Sequence, residues 1–335
     1  MNRLDRRMKI LAGKRDGAFD QDQYWFEKAR RERVARRVRS RLRRMEPMVL
    51  VTPRWSKARR FLDDVATDLQ LGEPSVRCRT LSLLPLAGRS LPQSWAWLVA
   101  AVTGFCNVDL PGPAWQAVSG QGFRAVMSDL LARAEDGPAR CLMIHGLEHL
   151  HVEALTDLIS VFDDHVRQTG QGRRFNLLLA GTIDASHFEF EAVQRIILTD
   201  FSDEEAREVL VEHMGPVEHH LLDATVGLVG GVPAILDQVG ELGLSCLTEI
   251  AANRDAVWKA LGTLAVEIRA AFDIVASDDE LSTRLEALAA EGVLPELPES
   301  DYRLIRTGLI KAGSRERRGT IQMRAPVFAD LALAG

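Results

Sequence analysis

Residues 48–62 constrain this chain more than any other stretch. Met48-Val49-Leu50-Val51 is an apolar run, Thr52-Pro53-Arg54-Trp55-Ser56-Lys57 a short polar turn, and Ala58-Arg59-Arg60-Phe61-Leu62 the start of an amphipathic segment. Strand, tight loop and helix in that order make a βα unit, which calls for a parallel sheet with a helix on its face.

The same order opens a phosphate-binding loop, G-x-x-x-x-G-K-[ST]. There the glycines turn backbone N–H groups around the phosphates, the Lys neutralises them and the hydroxyl holds the metal. In register with the strand, the first Gly falls on Thr52, the second on Lys57, the Lys on Ala58 and the Ser/Thr on Arg59. None of these four residues keeps the chemistry, and Trp55 sets an indole where phosphates need room. Another Gly-Lys pair, Gly13-Lys14, is followed by Arg15 and has Met8 in the first glycine's place, so it does not serve either. An ordinary βα unit of an unrelated α/β protein accounts for residues 48–62 equally well; the order of elements downstream decides.

The 335 residues, 46% apolar and 27% charged, suffice for two or three domains with cores of their own. No apolar run approaches the roughly 18 residues that span a bilayer, and the Arg-rich start lacks the apolar centre of a signal peptide. A soluble, cytoplasmic protein with no membrane partner is therefore expected. Cys78, Cys106, Cys141 and Cys246 are scattered singly among apolar neighbours, without a C-x-x-C pair, which speaks against a disulfide framework or a zinc ribbon. The net charge of −5 hides an asymmetry: residues 1–60 carry 20 Lys/Arg against 7 Asp/Glu (+13), leaving 22 against 40 (−18) for the rest. Such a basic arm is suited to meet something acidic.

Residues 1–23 read as a loosely ordered polar arm, anchored by Tyr24-Trp25-Phe26. Residues 27–45 read as a helix with Val34, Val38, Leu42 and Met45 on one stripe and arginines, among them Arg30, Arg31, Arg36 and Arg37, over the remainder. This is either a solvated amphipathic helix or one facing nucleic acid or a protein partner. Further strands are expected at 75–81, 141–146, 175–180 and 195–198, and helices at 95–106, 121–135 and 151–168, with a Pro/Gly turn at Pro111-Gly112-Pro113. Five strands alternating with helices predict a mostly parallel sheet covered on both faces. Ser202 with Glu205 forms a capping box. It opens a run of helices to about residue 275, interrupted at Gly230-Gly231-Val232-Pro233. From Asp278, two short helices, a segment at 308–311, a basic turn with Arg315, Arg317 and Arg318, an alternating strand at 320–324 and a helix from Pro326 lay out a winged helix.

In this order, residues 47–335 resemble the AAA+/STAND class of P-loop ATPases, most closely the branch of archaeal-type ATPases and origin-recognition proteins. The carriers are 49–62 in the P-loop place, 142–146 in the Walker B place, 177–182 in the sensor-strand place, 200–206 at the lid's start, and Gly230-Gly231-Val232-Pro233 as the lid's Gly-Gly-x-Pro. Residues 304–310 and 321–328 carry it in the winged helix, and Ala29-Arg30-Arg31-Glu32-Arg33 stands where a Gly-Arg-Glu box precedes the first strand. The resemblance implies a P-loop NTPase-like α/β core with a five-stranded sheet (47–200), a helical lid (201–276) and a C-terminal winged helix (277–335), after a basic arm and helix (1–46).

It also implies what is lost. His145 and Gly146 stand where Walker B carries its metal-holding and catalytic carboxylates, so with Thr52, Lys57, Ala58 and Arg59 the likeness is to a pseudo-ATPase. No catalytic residue, cofactor or metal is then expected. The implied function is a scaffold or adaptor subunit of a multiprotein, nucleic-acid-associated assembly, with other protein subunits, an active ATPase and DNA as partners. Arg195, just before the last strand, stands near the place of an arginine finger that would reach a neighbour's nucleotide; an Arg capping a surface strand is the plainer alternative.

Two other chemistries were weighed. His145-Gly146-Leu147-Glu148-His149 fits H-x-x-E-H, a zinc-hydrolase pattern, but a strand ending at His145 breaks the helix that the pattern needs. His213, His219 and His220 read as polar helical surface with no special role. For DNA recruitment by the winged helix, residues 301–335 hold seven Lys/Arg (Arg303, Arg306, Lys311, Arg315, Arg317, Arg318, Arg324) against Asp301, Glu316 and Asp330.

Overall fold

The structure, a computed structural model, describes residues 29–108, 119–170, 173–182, 194–312 and 320–333. The arm at 1–23, its anchor at 24–26, the turn at 111–113 and the basic turn with Arg315, Arg317 and Arg318 lie outside the described residues.

Helix α1 (Ala29–Arg43) leads into β1 (Met48–Val51) and α2 (Ala58–Gly72). Next come β2 (Arg77–Ser82), α3 (Leu91–Cys106), α4 (Gly120–Ala134), β3 (Arg140–His145), α5 (Val152–Thr169), β4 (Phe175–Gly181) and β5 (Gln194–Ile197). The strands form one sheet in the order β2-β3-β4-β1-β5, parallel throughout. Alternation along each strand divides the side chains between two cores. Val49, Leu142, Ile144, Leu177 and Leu179 pack with α3, α4 and α5 on one face. Met48, Leu50, Cys141, Met143, Leu178 and Ala180 pack with α1 and α2 on the other. Both faces are covered, so residues 141–144 of β3 and 177–180 of β4 read as apolar runs.

The four cysteines are free thiols, and the strand register brings two of them together. Cys78 and Cys141 are paired residues of β2 and β3. A hydrogen bond between the thiols holds the Cys78 pKa down and, with burial, pushes that of Cys141 up.

Capping by Ser202 and Glu205 starts α6 (Asp203–Met214), followed by α7 (His219–Val229), α8 (Pro233–Leu242), α9 (Leu244–Ala252), α10 (Ala256–Leu261) and α11 (Thr263–Ala276). The last segment is α12 (Asp279–Glu291), β6 (Val293–Pro295), α13 (Pro298–Thr307), β7 (Ile310–Ala312), β8 (Thr320–Met323) and α14 (Pro326–Ala332). Strands β6, β8 and β7, in that order, form an antiparallel sheet. Strand β6 has no counterpart in the sequence expectation, because three residues give no alternation to read. Strand β7 starts at Ile310 rather than at residue 308, because Gly308 caps α13 with φ +85°. From Ala206 on α6 to Phe328 on α14, the buried apolar side chains form one continuous core.

Candidate functional site at the strand ends

The chain leaves β1 for the edge strand β2, returns through β3 and β4, and crosses beyond β1 to β5. In open α/β sheets, ligands sit beyond the carboxyl ends of the strands where such winding reverses. That places the candidate site among Thr52 after β1, His145-Gly146 at the end of β3, and Gly181-Thr182 at the end of β4.

The loop 52–57 meets this site with carbonyl groups. Thr52 is buried; its N–H donates to Gly181 O (2.9 Å) and its C=O accepts from Thr182 Oγ1 (2.9 Å). Arg54 O accepts from the Arg324 guanidinium, Trp55 O from the Ala234 N–H in the first turn of α8 (3.0 Å), and Ser56 O from the Arg31 guanidinium. Trp55 and Lys57 hold the left-handed backbone, with φ of 58° and 55°, a conformation sparsely used by residues other than glycine. A phosphate-binding loop turns N–H groups inward; this one turns acceptors toward donors of the same polypeptide, and acceptors repel phosphate oxygens.

Trp55 projects across to the C-terminal helices. Its ring meets Phe328 edge-on at 6.0 Å, its Nε1 donates to Glu267 of α11 (3.2 Å), and the Arg324 guanidinium lies 6.0 Å from the ring centroid. Arg54 Nη1 reaches Thr307 O at 3.5 Å, and a Cβ at Gly308 would stand 2.8 Å from Arg54 Cβ. The loop is thus seated against α8, α11, the α13–β7 turn and α14.

Several cations nearby are paired with carboxylates. Arg324, only 1% exposed, pairs bidentately with Asp200 at 2.6 Å through both Nε and Nη2. Arg60 (2.5 Å), Lys57 (3.5 Å) and His213 (3.3 Å) converge on the buried Asp237 of α8. His213 therefore belongs to this junction, which corrects its assignment to plain helical surface. Arg31 lies 4.7 Å above the Phe201 ring and 5.8 Å from that of Phe61. Burial lowers its pKa to about 10, while Asp200, Asp237 and Glu205 act in the opposite sense. Where Gly231 meets Phe201, a Cβ would fall 1.8 Å from Phe201 O, so the Gly-Gly-Val-Pro segment is pressed on the chain leaving β5.

At the end of β3, His145 pairs in register with Ser82 and Ala180. Gly146 adopts φ +85°, and Leu147–His149 form one 3-10 turn. Glu148 Oε2 accepts from Thr182 N (3.1 Å), tying this turn to the end of β4. Burial, reinforced by Arg59, pushes the His145 imidazole below its ordinary value, so at neutral pH it is uncharged. The strand, αL glycine and short turn remove the helical face on which H-x-x-E-H would gather a metal. Among the described residues, no three His, Cys, Asp or Glu side chains are grouped to hold one.

The remaining expected site residues divide. Arg31 is drawn into the junction, whereas Arg36 and Arg37 point to solvent on the opposite side of α1. Arg30 lies in the first turn of α1. Arg195 is the second residue of β5, opposite Val49, rather than just before the strand. Of the C-terminal cations counted toward DNA, Arg324 is engaged with Asp200 and Arg303 with Asp278. Sequence reasoning missed Asp200, Asp237 and Arg324 as site residues, since their partners stand far away along the chain.

No protein-family model matches the sequence, and no curated protein matches it. The fold is similar to that of a Walker-type ATPase of Pyrococcus abyssi, with a TM-score of 0.60 over 90% of this chain and 95% of that one, at 13% identity. Lower scores relate it to a STAND protein with a tetratricopeptide repeat sensor from Pyrococcus horikoshii and to Cdc6p from Pyrobaculum aerophilum. The STAND protein gives 0.43 at 13% identity, over 89% of this chain and 41% of that one. Cdc6p gives 0.44 at 12% identity, over 86% of each. The first of these likenesses shows that the chain has a P-loop ATPase fold. No helix among the described residues is long and apolar enough to cross a membrane.

Proposed function

We propose that this chain is a pseudo-ATPase of AAA+/STAND type, a non-hydrolysing scaffold or adaptor subunit of a nucleic-acid-associated protein assembly. The observation that supports this most is the seating of loop 52–57. Its carbonyls at Arg54, Trp55 and Ser56 are taken by Arg324, Ala234 and Arg31, in the place where a nucleotide's phosphates would require N–H donors. Ala58, Arg59, His145 and Gly146 supply neither the phosphate cation nor a metal ligand nor a catalytic carboxylate. In this reading the α12–α14 segment, with its small antiparallel sheet, acts as a winged helix docked on the core. Arg195 is the one group retained for a neighbouring subunit's nucleotide.

A fluorescent ATP analogue, titrated with and without Mg²⁺ alongside a phosphate-release assay, tests this reading. No saturable binding and no turnover are expected at millimolar nucleotide. Micromolar binding, or release of phosphate that disappears in an Arg59→Ala variant, overturns it.

A further inference from the structure

Helix α1 divides its arginines between two duties. Ala35, Val38 and Leu42 bury one face against β1 and α2, while Arg33, Arg36, Arg37, Ser40 and Arg43 line the opposite, exposed face. Among the described residues, Arg33, Arg36 and Arg37 have no carboxylate partner, and Arg43 has Glu73 at 3.8 Å, in a half-exposed pair. Such exposed pairs contribute little and yield readily to another anion. Arg39, between them, is occupied by Glu32 (2.6 Å) and Asp68 (2.5 Å), a trio of net charge −1 that leaves the row basic overall. Beside this row lies a shallow depression of about 480 Å³ lined by Arg36, Arg39, Ser40, Arg43, Asp68 and Leu71.

We infer that this face binds the phosphate backbone of nucleic acid without reading its sequence. This deepens the function proposed above by naming the partner's chemistry. Charge alone would suit an acidic protein equally well, but a protein interface needs a desolvated centre with apolar or aromatic anchors. Between residues 33 and 44 every strongly apolar side chain is turned inward or half-covered, and only Leu71 stands exposed at the margin. A row of guanidinium groups and a hydroxyl without an apolar centre matches a phosphate chain, which is polar along its whole length. At 1.5 Å per residue Arg33 to Arg43 cover about 15 Å of the helix. With one phosphate per roughly 3.4 Å of each duplex strand, that spans about four phosphates, enough to engage the four arginines.

The test is anisotropy of a labelled duplex of random sequence titrated with the full chain at several salt concentrations. Four neutralised phosphates give a log–log salt slope of about −3.6, or roughly a 150-fold loss of affinity between 50 and 200 mM salt. The variant Arg33→Ala/Arg36→Ala/Arg37→Ala/Arg43→Ala is expected to lose about 0.9 of slope per arginine. The matching Arg→Lys variant keeps the slope, and a second duplex of unrelated sequence binds equally. These side chains are exposed, so an unchanged melting curve verifies that the variants fold. The proposal is overturned by the absence of salt-dependent duplex binding, by an Ala variant with the wild-type slope, or by polyglutamate of matched charge binding more tightly than DNA. ATP-analogue binding read in the same samples separates this outcome from failure of the pseudo-ATPase reading: loss of DNA binding with no nucleotide bound leaves that reading standing.

Discussion

Arg324 and Arg36 are the same residue put to opposite uses. Arg324 is 1% exposed, held by Asp200 and by the carbonyls of Arg54 and Gly308. Arg36 stands in solvent with no carboxylate opposite it among the described residues. A buried guanidinium must be matched almost completely, since desolvation costs several kcal/mol per ion; an exposed one costs little and remains free for an external anion. Basic composition therefore carries two meanings in this chain, internal closure and external binding, and burial tells them apart.

The comparison breaks most sharply at Arg324. Arg324→Ala leaves Asp200 charged, buried and unmatched, and is expected to cost roughly 3–5 kcal/mol in urea unfolding. Combining Arg324→Met with Asp200→Leu should recover much of that loss, since apolar replacement of a buried pair is often neutral. A single mutant as stable as wild type would remove the pair from its structural role. Next in size, Trp55→Ala loses the Phe328 and Glu267 contacts. About 2 kcal/mol is expected, below the roughly 3–5 kcal/mol of a fully buried aromatic, together with faster proteolysis of the chain between β5 and α6. On the exposed side, Arg33→Ala, Arg36→Ala and Arg37→Ala should each change unfolding by no more than about 0.5 kcal/mol.

The smallest effect is titration of His145. Its folded pKa is depressed by burial, so the unfolded chain takes up a proton first as pH falls through the ordinary value of about 6.5. Stability is full above that value, falls as pH drops through it and levels off below the folded pKa. His145→Gln should flatten the fall in melting temperature over this window, and an unchanged profile would mean that the imidazole is not desolvated.

The core strands were legible because burial on both faces makes residues 141–144 of β3 and 177–180 of β4 continuously apolar. The Ser202–Glu205 cap was legible because its chemistry is local. What escaped is non-local: the Asp200–Arg324 pair spans 124 residues, and the Cys78–Cys141 pairing exists only once β2 and β3 are in register. Arg324 was counted as a wing charge because sequence alone does not distinguish a buried arginine from a wet one. The degenerate loop was legible as a loss; that its carbonyls are engaged by other parts of the chain was not, since the donors come from α1, α8 and the end of β8.

The continuous core from α6 to α14 has a mechanical consequence. Elements that share interdigitated side chains move as a block, because packed interiors deform little. The helices after β5 and the small β6–β8–β7 sheet therefore have no slip plane between them. Any swing relative to the parallel sheet must pivot where the chain leaves β5, near residues 198–202, and carry some 130 residues on one lever. Trp55, whose ring meets Phe328 beside the Arg324–Asp200 pair at that pivot, acts as its bolt: withdrawing the indole frees the joint about which the block would turn.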